Sequence, residues 1–127
     1  MDQSIRGYLA NLEQQGELVR FRKKVDPLEN LTAIGWKTYD RLGKASLFDN
    51  LKDFPDWQVC NQILIDRRKW GIGLGVAEEA VIETFNNRVK SLIDPVMVDP
   101  AGAPVKEIVF EADDVDLTKI PAAWTSE

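Results

Sequence analysis

Near the start of the chain, apolar residues recur at Ile5, Tyr8, Leu9 and Leu12, a spacing of three and four that lines one face of an α-helix. Ser4 is placed to cap that helix and Gly16 to end it in a left-handed turn. Leu18, Val19 and Phe21 then alternate with polar positions as a strand does, and Arg20, Arg22, Lys23 and Lys24 suit the exposed face of an edge strand. An anion site is the other use for such a cluster. Asp26-Pro27 predicts the opening of a second helix, with Leu28, Leu31 and Ile34, and then Trp36 or Leu42, as its buried stripe and Gly43 as its end. Ala45–Phe48 suggests a short strand closed by Asp49-Asn50, and 57–64 a strand central to the sheet. A short helix is expected from Asp66 into Gly71-Ile72-Gly73-Leu74-Gly75, and a long one over 77–92 with Val81, Ile82, Phe85, Val89 and Leu92 on its apolar face. Pro95, Pro100, Gly102 and Pro104 make the next stretch a loop. Val105, Ile108, Val109 and Phe110 suggest a last strand, and 113–118 a turn.

That order of elements describes an α/β fold, with α+β as the other possibility: a small mixed sheet with helices packed on it. The expected core is Leu9, Leu12, Leu31, Ile34, Val59, Ile63, Phe85 and Val89. If Phe85 is buried, its replacement by Ala costs about 3–5 kcal/mol. Cys60, the single cysteine, alternates with polar neighbours and is expected to be a buried strand residue, slow to react.

Composition narrows the function without assigning it. At 127 residues, 44% hydrophobic and 29% charged, the chain suits one globular domain with one modest core. No apolar run approaches membrane-spanning length, and Met1-Asp2-Gln3-Ser4 lacks the features of a secretion signal, so a cytoplasmic protein is expected. There is no histidine, which removes the commonest general base and the usual zinc sites. Residues 1–93 carry 14 basic and 13 acidic groups, whereas residues 94–127 carry 2 and 8. The body is near neutral and the tail acidic, so nucleic acid is not an expected partner.

Each motif has a structural reading beside the chemical one. Gly71, Gly73 and Gly75 lack the dinucleotide-binding spacing, and Arg67-Arg68-Lys69-Trp70 separates them from the strand, so a tight backbone turn is the better use for them. Arg67, Arg68 and Lys69 could hold a phosphate or carboxylate, or could be solvated or paired with Asp66, Glu78 and Glu79. Glu107, Glu111, Asp113, Asp114 and Asp116 lack calcium-loop spacing and look like caps and turn formers. Trp36, Trp57, Trp70 and Trp124 could line a ligand site, although at least two fall on faces expected to be buried.

Four segments, in order, resemble the amino-terminal region of the UbiD decarboxylase family. They are IRGYLANLEQQGELVRFRKKVDP (5–27), KASLFDNLKDFPDWQVCNQI (44–63), DRRKWGIGLG (66–75) and APVKEIVFEADDVDLTKIP (103–121). The last is the most specific, although Ile120-Pro121 stands where the family more often has Leu-Pro. The resemblance implies reversible decarboxylation of an aromatic or α,β-unsaturated carboxylic acid in a complete enzyme. That enzyme would use prenylated FMN, a divalent metal (manganese or magnesium) and potassium. It implies an amino-terminal domain over residues 1–120, with 121–127 beginning a linker to a flavin-binding domain, and a homo-oligomer without nucleic-acid or membrane partners. No position here matches the family's catalytic, cofactor-binding or metal-binding residues. The isolated chain is therefore expected to be inactive, to bind no flavin, and to associate through the face left uncovered. A stand-alone small subunit or interaction module, without activity of its own, remains the other reading.

Overall fold

A computed structural model of the protein describes residues 4–124. Met1, Asp2 and Gln3 lie outside the described residues, as do the last three positions of the expected linker. Helix α1 spans Ile5–Gln14, strand β1 Leu18–Phe21, helix α2 Leu31–Leu42, strand β2 Ala45–Phe48 and strand β3 Val59–Asn61. Helices α3 (Arg67–Leu74) and α4 (Val81–Lys90) follow, the second entered through a 3-10 turn at Glu78–Ala80. Beyond α4 the described chain forms four separate 3-10 turns and no strand.

The sheet is mixed, as the residue pattern implies. β2 lies in the middle, parallel to β1 with Leu18 opposite Ala45, and antiparallel to β3 with Leu47 opposite Cys60. Alternation along β2 divides the core in two. Ala45 and Leu47 join Leu12 and Leu18, with Tyr8, Leu9 and Ile72 packed alongside from α1 and α3. Phe48 joins Val25, Leu31 and Leu51 under α2, where its ring stacks on Phe21 at 4.9 Å. Leu12, Leu31 and Phe48 are fully buried, each contributing about 1.5–3 kcal/mol by transfer out of water.

Local chemistry sets the ends of the elements. The Ser4 hydroxyl accepts the Gly7 N–H at 3.0 Å and so caps α1. Gly43 closes α2 at φ 67°, its N–H donating to the Tyr39 carbonyl at 2.7 Å. Gly16, at φ 73°, turns the chain from α1 into β1 as expected.

Several expectations are corrected. Asp26-Pro27 begins a turn and not a helix. The Asp26 carboxylate accepts the Leu28 N–H at 3.0 Å and Asn30 Oδ1 accepts the Asp26 N–H at 3.2 Å, holding 26–30 in a local loop until α2 starts at Leu31. Leu28, Trp36 and Leu42 are consequently exposed, and Leu31, Gly35 and Thr38 form the buried side of α2. The central strand is β2. The segment 57–64 contributes only Val59–Asn61 at an edge, because Gln62 adopts φ 61° and turns the chain away. Leu9, Ile34, Val59, Ile63 and Cys60 are half-buried, packed against one or the other core.

Phe85 and Val89 are not core residues, being 47% and 52% exposed. α4 buries only Val81 against α3, Phe85 reaches that helix only through the edge of the Trp70 ring, and Ile82 and Val89 turn outward. Val105–Phe110 is no strand, since no strand of the sheet lies beside it to supply a ladder. All four tryptophans are exposed.

Candidate functional site

The densest polar chemistry lies where α3 begins. Asp66 caps the helix by accepting the Lys69 N–H at 3.0 Å, and its second oxygen takes the Lys69 ammonium at 2.7 Å. Lys69 is fully buried. Its Nζ also donates to the Gly43 carbonyl at 2.6 Å, stands 3.6 Å from Glu17 Oε2, and sits 5.4 Å above the Tyr39 ring. Arg68 meets the other Glu17 oxygen at 2.8 Å. Burial would raise the Asp66 carboxyl, but hydrogen bonds from Lys69 prevail and hold it below the usual carboxylate range. Two carboxylates, two cations, a carbonyl and a ring face thus satisfy one another, and the cluster joins the α1–β1 turn, the end of α2 and the start of α3. A polar cleft of about 620 Å³ opens beside it.

This cluster is a clasp whose charged groups are paired with one another. Of the expected basic triplet, Lys69 is buried and paired with Asp66, as the structural reading held. Arg68 takes Glu17, a partner the residue pattern did not suggest. Nothing in the pattern marked Lys69 as buried beyond its place three residues after Asp66.

The three glycines do not form a phosphate cradle. Gly71 and Gly73 lie inside α3, and Gly75 ends it at φ 71°. A Cβ on Gly71 would stand 2.8 Å from the Val76 carbonyl oxygen, and one on Gly73 would stand 3.3 Å from the Tyr8 ring. Their small size serves packing. Tyr8 crosses from α1 to donate to the Ile63 and Lys69 carbonyls, at 2.5 and 2.9 Å. Burial, with Asp66 nearby, pushes its hydroxyl up to about 12, which keeps it protonated and donating.

The basic strand divides. Arg20 forks onto Glu13 at 2.9 and 2.7 Å and reaches Asp49 at 3.3 Å, so it is spent on holding β1 to its neighbours. That pairing lowers the Glu13 carboxyl and raises the Arg20 guanidinium. Arg22, Lys23 and Lys24 stay largely in solvent, as an edge strand allows. Burial pushes the Cys60 thiol up, which keeps it a weak nucleophile.

Among the described residues no group of three or more Cys, Asp or Glu side chains converges as a metal ion would need. Asp116 instead accepts the Thr118 N–H at 3.0 Å, as a turn former does. No helix among the described residues is long and apolar enough to cross a membrane.

A mostly apolar groove of about 1030 Å³ is lined by Ile5, Tyr8, Leu64, Ile72, Leu92 and Ile93 among others. Beside it the outward face of α4 carries Phe85, whose ring meets Trp70 edge-on at 6.2 Å.

Comparison with known proteins places this architecture. Residues 9–89 match the 3-octaprenyl-4-hydroxybenzoate carboxy-lyase N-terminal domain. An evolved dimeric form of the UbiD-class enzyme HmfF from Pelotomaculum thermopropionicum, in complex with prFMN, superposes at a TM-score of 0.84 and 30% identity. The alignment covers 99% of this chain and 29% of that one. The same organism's HmfF in complex with FMN gives a TM-score of 0.80 at 32% identity, over 96% of this chain and 27% of that one. Vanillic acid decarboxylase of Sedimentibacter hydroxybenzoicus, in closed form, shares the fold at a TM-score of 0.83 and 24% identity, over 100% of this chain and 28% of that one. The chain thus spans less than a third of the length of each of these proteins. The order of its elements and the match over residues 9–89 agree with the resemblance carried by its motifs, and the chain belongs to the UbiD amino-terminal domain family.

Proposed function

We propose that the chain is the non-catalytic amino-terminal domain of a cytoplasmic, UbiD-like decarboxylase. That enzyme acts reversibly on an aromatic or α,β-unsaturated carboxylic acid. On this reading residues 1–120 form the domain and 121–127 begin the linker. Prenylated FMN, with manganese or magnesium and potassium, is held by the flavin-binding domain that follows in the same polypeptide, and the enzyme works as a homo-oligomer.

The observation that carries the reading is the family match over residues 9–89. It is supported by likeness to two UbiD-class structures that hold prFMN and FMN. The arrangement of residues agrees: the polar clusters are mutually satisfied and the glycines are spent on packing, while the apolar surface faces outward. Such a domain frames and supports a neighbour, and the modified flavin carries the reaction in that neighbour.

The test is to express the reading frame through its continuation past Glu127. The protein is then loaded with prenylated FMN and assayed for carbon dioxide release from cinnamate-like and hydroxybenzoate-like acids. Flavin-dependent release is the expected result. A frame that stops at Glu127, or a longer product that retains no flavin, would favour a separate small subunit or interaction module.

A further inference from the structure

Under α2 the sheet carries polar side chains beside an apolar core. The Ser46 hydroxyl is fully buried and the Thr32 hydroxyl oxygen is closed to solvent, and neither has a hydrogen-bond partner among the described residues. The side-chain amide of Asn61, a half-buried residue, bonds to none of them either. A buried polar group without a partner is costly and rare in folded proteins, so three such groups in one place call for an occupant.

The strand register and the helix bring the three together. Ser46 stands between Ala45 and Leu47 on β2, so it points to the opposite face from those two, the face that carries Phe48 and lies under α2. Asn61 on β3 is its cross-strand partner, which sets their Cβ atoms about 4.5–5.5 Å apart on one face. α2 meets Asn61 at Gly35, where a Cβ would stand 2.8 Å from the amide nitrogen. Thr32 lies three residues before Gly35 and therefore on the same side of the helix. Gly35 thus lets the backbone of α2 close over the Asn61 amide, with Ser46 and Thr32 beside it.

We propose that Ser46, Asn61 and Thr32 hold one internal water molecule that bridges β2, β3 and α2. The chemistry selects water. Each hydroxyl and the amide can both donate and accept, so a molecule with two donors and two acceptors answers all three. An ion is a poor fit, because the core on this face is Val25, Leu31, Phe48 and Leu51 and supplies no charge to balance it. A larger organic molecule would have to displace the Gly35 backbone, which stands against Asn61. The bridge ties the helix that connects parallel β1 and β2 to the sheet at the position where it has no side chain of its own to pack.

The experiment is a high-resolution crystal structure of the full-length polypeptide, with melting of Ser46→Ala, Asn61→Ala and the double variant beside it. One density peak should lie at about 2.5–3.2 Å from Ser46 Oγ and from a polar atom of Asn61 or Thr32, and should refine as water. Ser46→Ala should lower the melting temperature by a few degrees. The double variant should lose less than the sum of the two single losses, because both act through one molecule. A direct Ser46–Asn61 hydrogen bond with no peak between them would overturn the inference. So would a peak ringed by the short contacts of a metal ion, or one too large for water. Ser46→Ala that melts higher than the unaltered protein would overturn it as well, since that is the behaviour of a hydroxyl with nothing to bond. Should a variant fail to fold, the density of the unaltered protein decides alone.

Discussion

The body and the segment after α4 follow one another on a single chain and are built by opposite rules. In the body, up to the end of α4, an apolar residue on a helix or strand face usually meets another, and polar groups are paired: Lys69 with Asp66 and Glu17, Arg20 with Glu13 and Asp49. In residues 92–122 the same apolar side chains stand in water and the carboxylates bond only locally. The difference teaches that composition does not say where a core is. Val81 and Phe85 lie one turn apart on α4, yet the first is buried against α3 and the second is not.

The contrast can be broken most sharply in the body. Phe48→Ala removes a fully buried ring from the centre of the sheet and should cost about 3–5 kcal/mol, read by denaturant unfolding. A loss below about 1 kcal/mol would mean that the core under α2 is not packed as described.

Lys69→Met keeps the bulk of the side chain but leaves Asp66 and Glu17 without their shared cation. Breaking a buried pair from one side costs about 3 kcal/mol or more. Calorimetric melting of the variant measures it, and an unchanged melting temperature would show that the clasp is ornamental.

Gly35→Ala probes a close approach that the residue pattern gave no sign of. The added Cβ would stand 2.8 Å from the Asn61 side-chain nitrogen, on the face of the sheet that α2 covers. Forced repacking of this kind costs about 1–3 kcal/mol. Combining it with Asn61→Ala should recover most of the loss, a coupling that a double-mutant cycle reads directly.

The smallest effect is expected where the sequence promised a large one. Phe85→Ala in the isolated chain should cost less than about 1 kcal/mol, because half of the ring is already in water. A loss of core size would return Phe85 to the interior and contradict the outward face of α4.

Much of the body was legible in the residues. The Ser4 cap, the Gly16 and Gly43 turns, β1, β2 and the burial of Leu12 and Leu31 follow from periodicity and turn chemistry, which are local. The errors share a cause. Asp26-Pro27 satisfies the rule for a helix start, but the Asp26 and Asn30 side chains compete for the same backbone groups and hold a turn. Phe85, Val89 and Val105–Phe110 have patterns that call for a partner, and periodicity reports the need without naming who meets it. Lys69 was ambiguous because its two anionic partners come from different parts of the chain, and only Asp66 is near in sequence. The glycines were read as a tight backbone turn, which Gly75 makes at the end of α3, whereas Gly71 and Gly73 lie inside the helix and serve packing.

The central claim is that this chain supplies support and not cofactor chemistry. Titration of the purified 127-residue chain with FMN, followed by flavin fluorescence and calorimetry, tests it most directly. The account predicts no saturable change and no heat of binding at micromolar flavin. Saturable binding at that concentration would contradict it and would return Arg67, Gly71, Gly73 and Gly75 to the centre of a binding site.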